Sequence, residues 1–174
     1  MASTIRRQSR KQLESTAYHE AGHAVAALAL GRGVKCVSIV PGEEILGHCA
    51  HHKLRSFQPD IHTNGRTLRR IEQSILILLA GGEAEAKFRG RHNHIGAERD
   101  YQDAIDLAMC VFGSEEETEA YLRWLLIRAR NLITSLVNWP IVEHVAAELL
   151  ARKTLNGREM REEYQIAREK LFSG

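Results

Sequence analysis

The sequence predicts a mainly α-helical domain with one small β-hairpin. Three observations lead there. Most of the chain carries apolar residues at helical spacing, in segments several turns long. One stretch, Val34-Lys35-Cys36-Val37-Ser38-Ile39-Val40, is instead β-branched and alternating, and a turn signal follows it at Pro41-Gly42. The composition, 44% hydrophobic and 26% charged over 174 residues, is that of a globular domain with a proper core.

The elements follow in order. Ser9 to about Leu30 reads as the first helix, ended by Gly31 and Gly33. Val34 to Val40 is a strand, and Leu46 to about Lys53 returns beside it as an edge strand to close the hairpin. Leu54 to Gly65 is a loop punctuated by Pro59, Asn64 and Gly65. From Arg66, the residues Leu68, Ile71, Ile75, Leu78 and Leu79 have helical spacing. Gly81-Gly82 either ends that helix or marks a tight packing point inside it, since Ala84, Glu85 and Phe88 continue the pattern. Arg89 to Gly96 is a loop holding His92 and His94. Helices are then expected over Glu98 to Phe112, Glu115 to Asn138, Pro140 to Lys153 and Arg158 to Phe172, with Asn156-Gly157 breaking the chain before the last. The acidic start Glu115-Glu116-Glu117 suits a helix dipole. Trp124 and Trp139 fall on helical faces and read as core positions.

Charge and composition exclude several classes of function. A net charge of +2 gives no electrostatic case for nucleic acid. Residues 1–11 are locally basic through Arg6, Arg7, Arg10 and Lys11, and read as a flexible, solvated terminus ahead of a single domain over residues 12–174. There is no apolar leader of the secretory kind, and no run approaches the roughly 18 apolar residues of a membrane span. Cys36, Cys49 and Cys110 are odd in number and lack close metal spacing, so they read as reduced thiols of a cytoplasmic protein.

The chemistry concentrates in Ala17-Tyr18-His19-Glu20-Ala21-Gly22-His23-Ala24. Residues four apart on a helix share a face, so His19 and His23 can turn two imidazoles toward one zinc ion. Glu20 follows the first ligand and is placed to accept a proton from water near that ion. A chance occurrence of the pattern is the competing reading. The run Ala24-Val25-Ala26-Ala27-Leu28-Ala29-Leu30 speaks against it, because it buries the helix, and a buried His-Glu-His cluster is costly unless a metal satisfies it. Small residues Ala17, Ala21, Gly22 and Ala24 would let another backbone approach closely. A third protein ligand is usual at a catalytic zinc. By chemistry alone Asp60, His62, Glu83, Glu85, His92, His94, Glu98, Asp100, Asp103 and His144 all qualify, and sequence distance does not choose among them.

Five segments, taken in order, resemble the peptidase domain of FtsH-type ATP-dependent zinc metalloproteases. They are the His19-to-His23 motif; Val37-Ser38-Ile39-Val40-Pro41 with Leu46-Gly47; Leu78-Leu79-Ala80-Gly81-Gly82-Glu83-Ala84-Glu85 closing at Phe88-Arg89-Gly90; Gly96-Ala97-Glu98-Arg99-Asp100; and Lys153-Thr154-Leu155-Asn156-Gly157. The resemblance implies that Asp100 is the third zinc ligand, from a Gly-Ala-x-x-Asp segment opening a helix. It also places an acidic residue at Glu85, which either orients a ligand histidine or stands as a surface charge of its helix. Asp103, one turn beyond Asp100, is a further supporting candidate. The chain departs from the family pattern at Ile95, where Thr is usual, at Arg99, where Asn is usual, and at Gly82-Glu83, where Arg-Ala is usual.

The resemblance implies a Zn2+-dependent endopeptidase acting on peptides or unfolded proteins, and the expected edge strand, through Leu46, Gly47 and His48, is placed to pair with an extended substrate by strand addition. No Walker A motif occurs, so a peptidase part without its ATPase module is expected, with a separate ATPase partner and a homo-oligomer as partners the family brings to mind. Two rivals stay open at this point: a catalytically inactive metal-bearing scaffold of the same fold, and a zinc hydrolase of non-peptide amides.

Overall fold

A computed structural model describes residues 9–40, 48–51, 64–92 and 97–173. It contains helices α1 (Arg10–Ala29), α2 (Gly65–Arg89), α3 (Glu98–Met109), α4 (Glu115–Thr134), α5 (Asn138–Arg152) and α6 (Gly157–Phe172), with strands β1 (Val34–Ser38), β2 (His48–His51) and β3 (Thr154–Asn156). The mainly helical class with a small antiparallel hairpin is as the sequence predicts. Residues 52–63 and 93–96, largely in the loops the sequence predicts, lie outside the described residues, as do Leu46, Gly47 and His94.

α1 starts where Ser9 accepts a hydrogen bond from the Gln12 N–H, a serine N-cap, so Arg10 and Lys11 already belong to the helix. It is buried almost all round from Ser15 to Ala27. α2 runs straight through Gly81-Gly82 and ends only at Gly90, whose φ of 72° gives the left-handed cap that glycine adopts without strain. Gly81-Gly82 is therefore a packing point, not a stop. Added at Gly22, a Cβ would stand 2.6 Å from Ala84 Cβ and 2.7 Å from the Ala80 carbonyl oxygen. Added at Gly81, it would run into the His23 imidazole. α1 and α2 thus meet nearly backbone to backbone.

α2 stands between two cores. One face gives Ile77, Ala80 and Ala84 to a core shared with Val25, Val37, Ile39, Ile133, Val142, Leu149, Leu155 and Met160. The other gives Ile71, Ile75, Leu76 and Leu79 to a second core with Ala104, Leu122 and Leu125 of α3 and α4. Two ion pairs, Glu72 with Arg128 and Glu83 with Arg130, tie α2 to α4.

Beyond the hairpin the structure adds a third strand. β1 lies between β2 and β3 and is antiparallel to both, with Val37 opposite Cys49 on one side and Leu155 on the other. Asn156-Gly157, expected only as a break, closes β3 and caps α6. Asn156 accepts from the Arg158 and Glu159 N–H groups, and the Glu159 carboxylate accepts from the Asn156 N–H, a capping box. The helix expected to reach Asn138 stops at Thr134. Ser135 is the C-cap of that helix, and its Oγ accepts from the Asn138 N–H at 3.1 Å in the turn that leads into α5. Pro140 then falls in the first turn of α5, where a missing N–H costs nothing. Trp124 is 49% exposed, contrary to its expected core place, and its ring lies 4.7 Å under the Arg128 guanidinium. Trp139 packs on the first core.

Gly22→Ala should push α1 off α2 and lower unfolding stability by about 1–3 kcal/mol, the usual cost of overpacking. Gly65→Ala, with nothing within 4 Å of the new methyl group, should not destabilise. Urea unfolding of the two variants checks this, and equal stability would remove the close-contact argument.

Candidate metal centre

The site is built where α1 crosses α2 and the first turn of α3 arrives. His19 and His23 stand one turn apart on α1. Asp100 lies in the first turn of α3, where a carboxylate is favoured by the helix dipole. Three donor atoms converge: His19 Nε2 to Asp100 Oδ2 is 3.0 Å, His23 Nε2 to Asp100 Oδ2 is 3.2 Å, and the two Nε2 atoms are 3.0 Å apart. Ligands held at 2.0–2.1 Å in a tetrahedral zinc site stand about 3.4 Å from one another, so the trio needs only a small expansion to fit. Two neutral nitrogens and one carboxylate also form a donor set that zinc accepts.

The other ring nitrogens explain why the Nε2 atoms face inward. His23 Nδ1–H donates to the Ile77 carbonyl oxygen at 2.7 Å, across the notch that Gly81 leaves in α2. His19 Nδ1 faces the Glu85 carboxylate at 3.4 Å, and Arg89 Nη1 donates to the other Glu85 oxygen at 2.9 Å. Glu85 is only 4% exposed, which decides against a surface charge. One residue away on each helix, Tyr18 and Phe88 stack with ring centroids 4.0 Å apart, and Trp139 continues the stack. Glu20 is buried beside the ligands at 5% exposure, and its charge raises the pKa of both histidines.

In the cluster, burial and the neighbouring carboxylates act on the histidines in opposite directions. Burial alone would lower the His19 pKa. Its bonds to Asp100 and Glu85, and the charges of Glu20 and Asp100, outweigh that and push it up to about 10. His23 moves the same way: burial opposes, and the Asp100 carboxylate prevails. Asp100 is held well below the usual carboxylate range: burial would raise it, but both imidazoles lower it more. Both Nδ1 atoms are engaged elsewhere, and the two Nε2 atoms lie 3.0 Å apart.

A cavity of about 450 Å³ adjoins the donors. Leu78, Leu79, Gly82, Tyr101 and Leu126 line it, with Glu83, His92 and Asp100 at its walls. Gly82 opens it, because a Cβ there would point at Ala97, 3.2 Å away. Glu83 is matched by Arg130 Nε at 2.7 Å.

Of the residues the sequence singled out, His19, His23, Asp100, Glu20 and Glu85 come together. Asp103 is exposed on α3. His48 begins β2 opposite Ser38. His144, a third-ligand candidate by chemistry, bonds Glu163 at 2.9 Å between α5 and α6, in a network that Arg152 joins. Sequence reasoning missed the Ile77 carbonyl and Arg89. The first leaves no side-chain signal. The second was visible as an i, i+4 Glu–Arg pair.

The model of Peptidase family M41 matches residues 6–117, from before α1 into the first turn of α4. The chain belongs to Peptidase family M41. Two relatives agree. The chain is 37% identical over 113 residues to an ATP-dependent zinc metalloprotease FtsH of Magnetococcus marinus, covering 62% of this chain and 16% of that protein. It is 33% identical over 97 residues to ATP-dependent zinc metalloprotease FtsH 1 of Rhodopirellula baltica, covering 55% and 13%. The chain thus spans about a sixth or less of the length of these relatives. The M41 match holds α1, α2 and α3, and so every donor of the cluster.

A pH test follows from the proton in the cluster. The His19 pKa of about 10 lies above its ordinary value of 6.5, so the metal-free protein has this stabilisation in full below pH 6.5 and loses it as pH rises toward 10. Asp100 is lowered, so its contribution is present above its ordinary value of 3.8 and is lost in acid. Melting temperature without metal should therefore fall between pH 6.5 and 9. Zinc displaces the proton, so it should remove that fall, and its affinity should rise over the same window. A flat metal-free profile would contradict the proton-held cluster.

Proposed function

We propose that this chain is a zinc metallopeptidase, an endopeptidase that hydrolyses peptide bonds in peptides or unfolded proteins. The observation that carries the reading is the convergence of His19, His23 and Asp100 donor atoms within 3.2 Å beside a buried Glu20, in a chain of Peptidase family M41. His19, His23 and Asp100 would hold Zn2+. Bound there, the ion would supply a Lewis acid that acidifies water and polarises a carbonyl. Glu20 takes the proton of the attacking water and delivers it to the leaving amine. Glu85 fixes the orientation of His19, and Ile77 that of His23. Asp103, exposed, has at most a surface role.

Substrate would lie extended beside β2, an edge of the sheet, and pair with it from His48 by strand addition; Leu46 and Gly47, expected to share that role, lie outside the described residues. That mode reads backbone more than side chains, so specificity is broad. The cavity beside Asp100 would take one apolar side chain; a cavity of about 150 Å³ already accepts a benzene ring. Glu20 separates this reading from an inactive scaffold, because a structural zinc site has no use for a base. The relatives are named ATP-dependent, yet these 174 residues hold no phosphate-binding loop. A separate ATPase partner, and assembly with further copies of the chain, would supply unfolding in a cytoplasmic setting. No helix among the described residues is long and apolar enough to cross a membrane.

Glu20→Gln keeps the side chain's shape and removes its basicity. It should retain zinc and fold normally while losing at least about 100-fold in peptide hydrolysis, within the range a positioned base contributes. Near wild-type turnover in that variant would sink the assigned role.

The 174-residue chain alone should cut peptides and unfolded chains and spare stable folded domains, with or without ATP. Opening a folded substrate costs much of its stability of about 5–15 kcal/mol, and nothing here supplies it. Digestion of a stable domain at a rate independent of its stability would contradict this.

A further inference from the structure

We propose that Arg89 is a positioning residue for the metal centre, acting through Glu85 on His19. The proposal rests on the metal reading above, and the experiment below separates the failure of one from the failure of the other.

The geometry is a line of three side chains running from solvent to the donors. Arg89, the last residue of α2, has a 29% exposed side chain and donates through Nη1 to Glu85 Oε1 at 2.9 Å. Glu85, one turn back, has a 5% exposed side chain and turns its other oxygen toward His19 Nδ1 at 3.4 Å. His19 Nε2 lies in the donor trio. A carboxylate this buried is costly unless a cation matches it. Arg89 supplies that match from the solvent side and fixes the carboxylate plane by a directed bond. The carboxylate in turn holds the hydrogen of His19 on Nδ1, so the lone pair of Nε2 points inward.

Two features keep the line in register. The helix end is pinned, because Phe88 stacks on Tyr18 and Lys87 lies 4.2 Å over the Trp139 ring. Gly90 then turns the chain away, leaving Arg89 as the final helical side chain, one turn above Glu85 on the same face. Histidine ligands are commonly oriented by a carboxylate on the second nitrogen, and loss of such support costs about 10–100-fold in metal affinity. Here the carboxylate is itself set by a guanidinium, so the same loss should follow from changing Arg89, which touches no donor.

The test measures zinc affinity by chelator competition and the visible spectrum of the cobalt-substituted protein, for wild type, Arg89→Ala, Arg89→Lys and Glu85→Gln. Melting curves of the metal-free forms accompany them. Arg89→Ala and Glu85→Gln should each lose about 10–100-fold in affinity and change the cobalt band; Arg89→Ala, which takes the partner from a buried carboxylate, should lower metal-free melting as well. Arg89→Lys, which keeps the charge, should recover most of the affinity. Wild-type affinity and spectrum in Arg89→Ala would overturn the proposal. So would an unchanged cobalt band in Arg89→Ala beside a loss of melting temperature alone, since Arg89 would then only stabilise the fold. Failure of the wild-type protein to bind zinc would sink the metal reading itself.

Discussion

Everything at the metal centre depends on how closely α1 can lie against α2. Two helices separated by ordinary side chains would hold their axes about 8–10 Å apart, with leucine-sized groups between them. Here Ala17, Ala21 and Gly22 meet Ala80, Gly81 and Ala84, and the contact is almost backbone on backbone. That approach lets the His23 ring lie against Gly81 and reach a main-chain oxygen of the opposite helix. It also brings Glu85 within reach of His19. The small residues therefore do more than fill a core: they set the distance at which a side chain on one helix can be steered by the next.

Close packing of this kind makes the charged cluster expensive, and α2 carries the compensation. It presents two buried carboxylates, Glu83 and Glu85, and each has a guanidinium. Arg130 comes from α4, and Arg89 comes from the end of α2 itself. Gly82 and Glu83 divide the work at this point. Gly82 leaves room for the cavity beside Asp100, and the Glu83 carboxylate is absorbed by an ion pair with a neighbouring helix.

The part of this legible in the sequence was the part governed by local periodicity. The spacing of His19, Glu20 and His23 fixes a shared helical face, and the apolar run after them fixes burial. Asp100 was not legible in that way. It lies 81 residues from His19, and nothing in spacing separated it from nine other candidates; only the resemblance singled it out. The Ile77 carbonyl could not be read at all, since a main-chain acceptor has no residue signature. Two features were present in the sequence but outweighed. Asn156 followed by Glu159 is a capping-box pattern, but Asn-Gly reads first as a break, and a three-residue strand has too few positions to show alternation. Ser135 reads as one more residue of a long helix because its bond to the Asn138 N–H depends on the chain having already turned.

The donor geometry spreads the support of a buried His-Glu-His motif over two neighbouring helices. Each imidazole is engaged on both of its nitrogens. The Ile77 carbonyl of α2 takes the His23 Nδ1–H at 2.7 Å, and Glu85 of the same helix faces His19 Nδ1 at 3.4 Å. The Nε2 atoms are left to Asp100 of α3, at 3.0 and 3.2 Å. A buried polar group is costly unless it is matched, and here every match comes from outside α1. Those partners are in turn set by packing that does not involve the trio: α2 gives one face to a core with α1 and α5 and the other to a core with α3 and α4. The two apolar cores therefore fix the orientation of the rings, because they fix where α2 and α3 stand relative to α1.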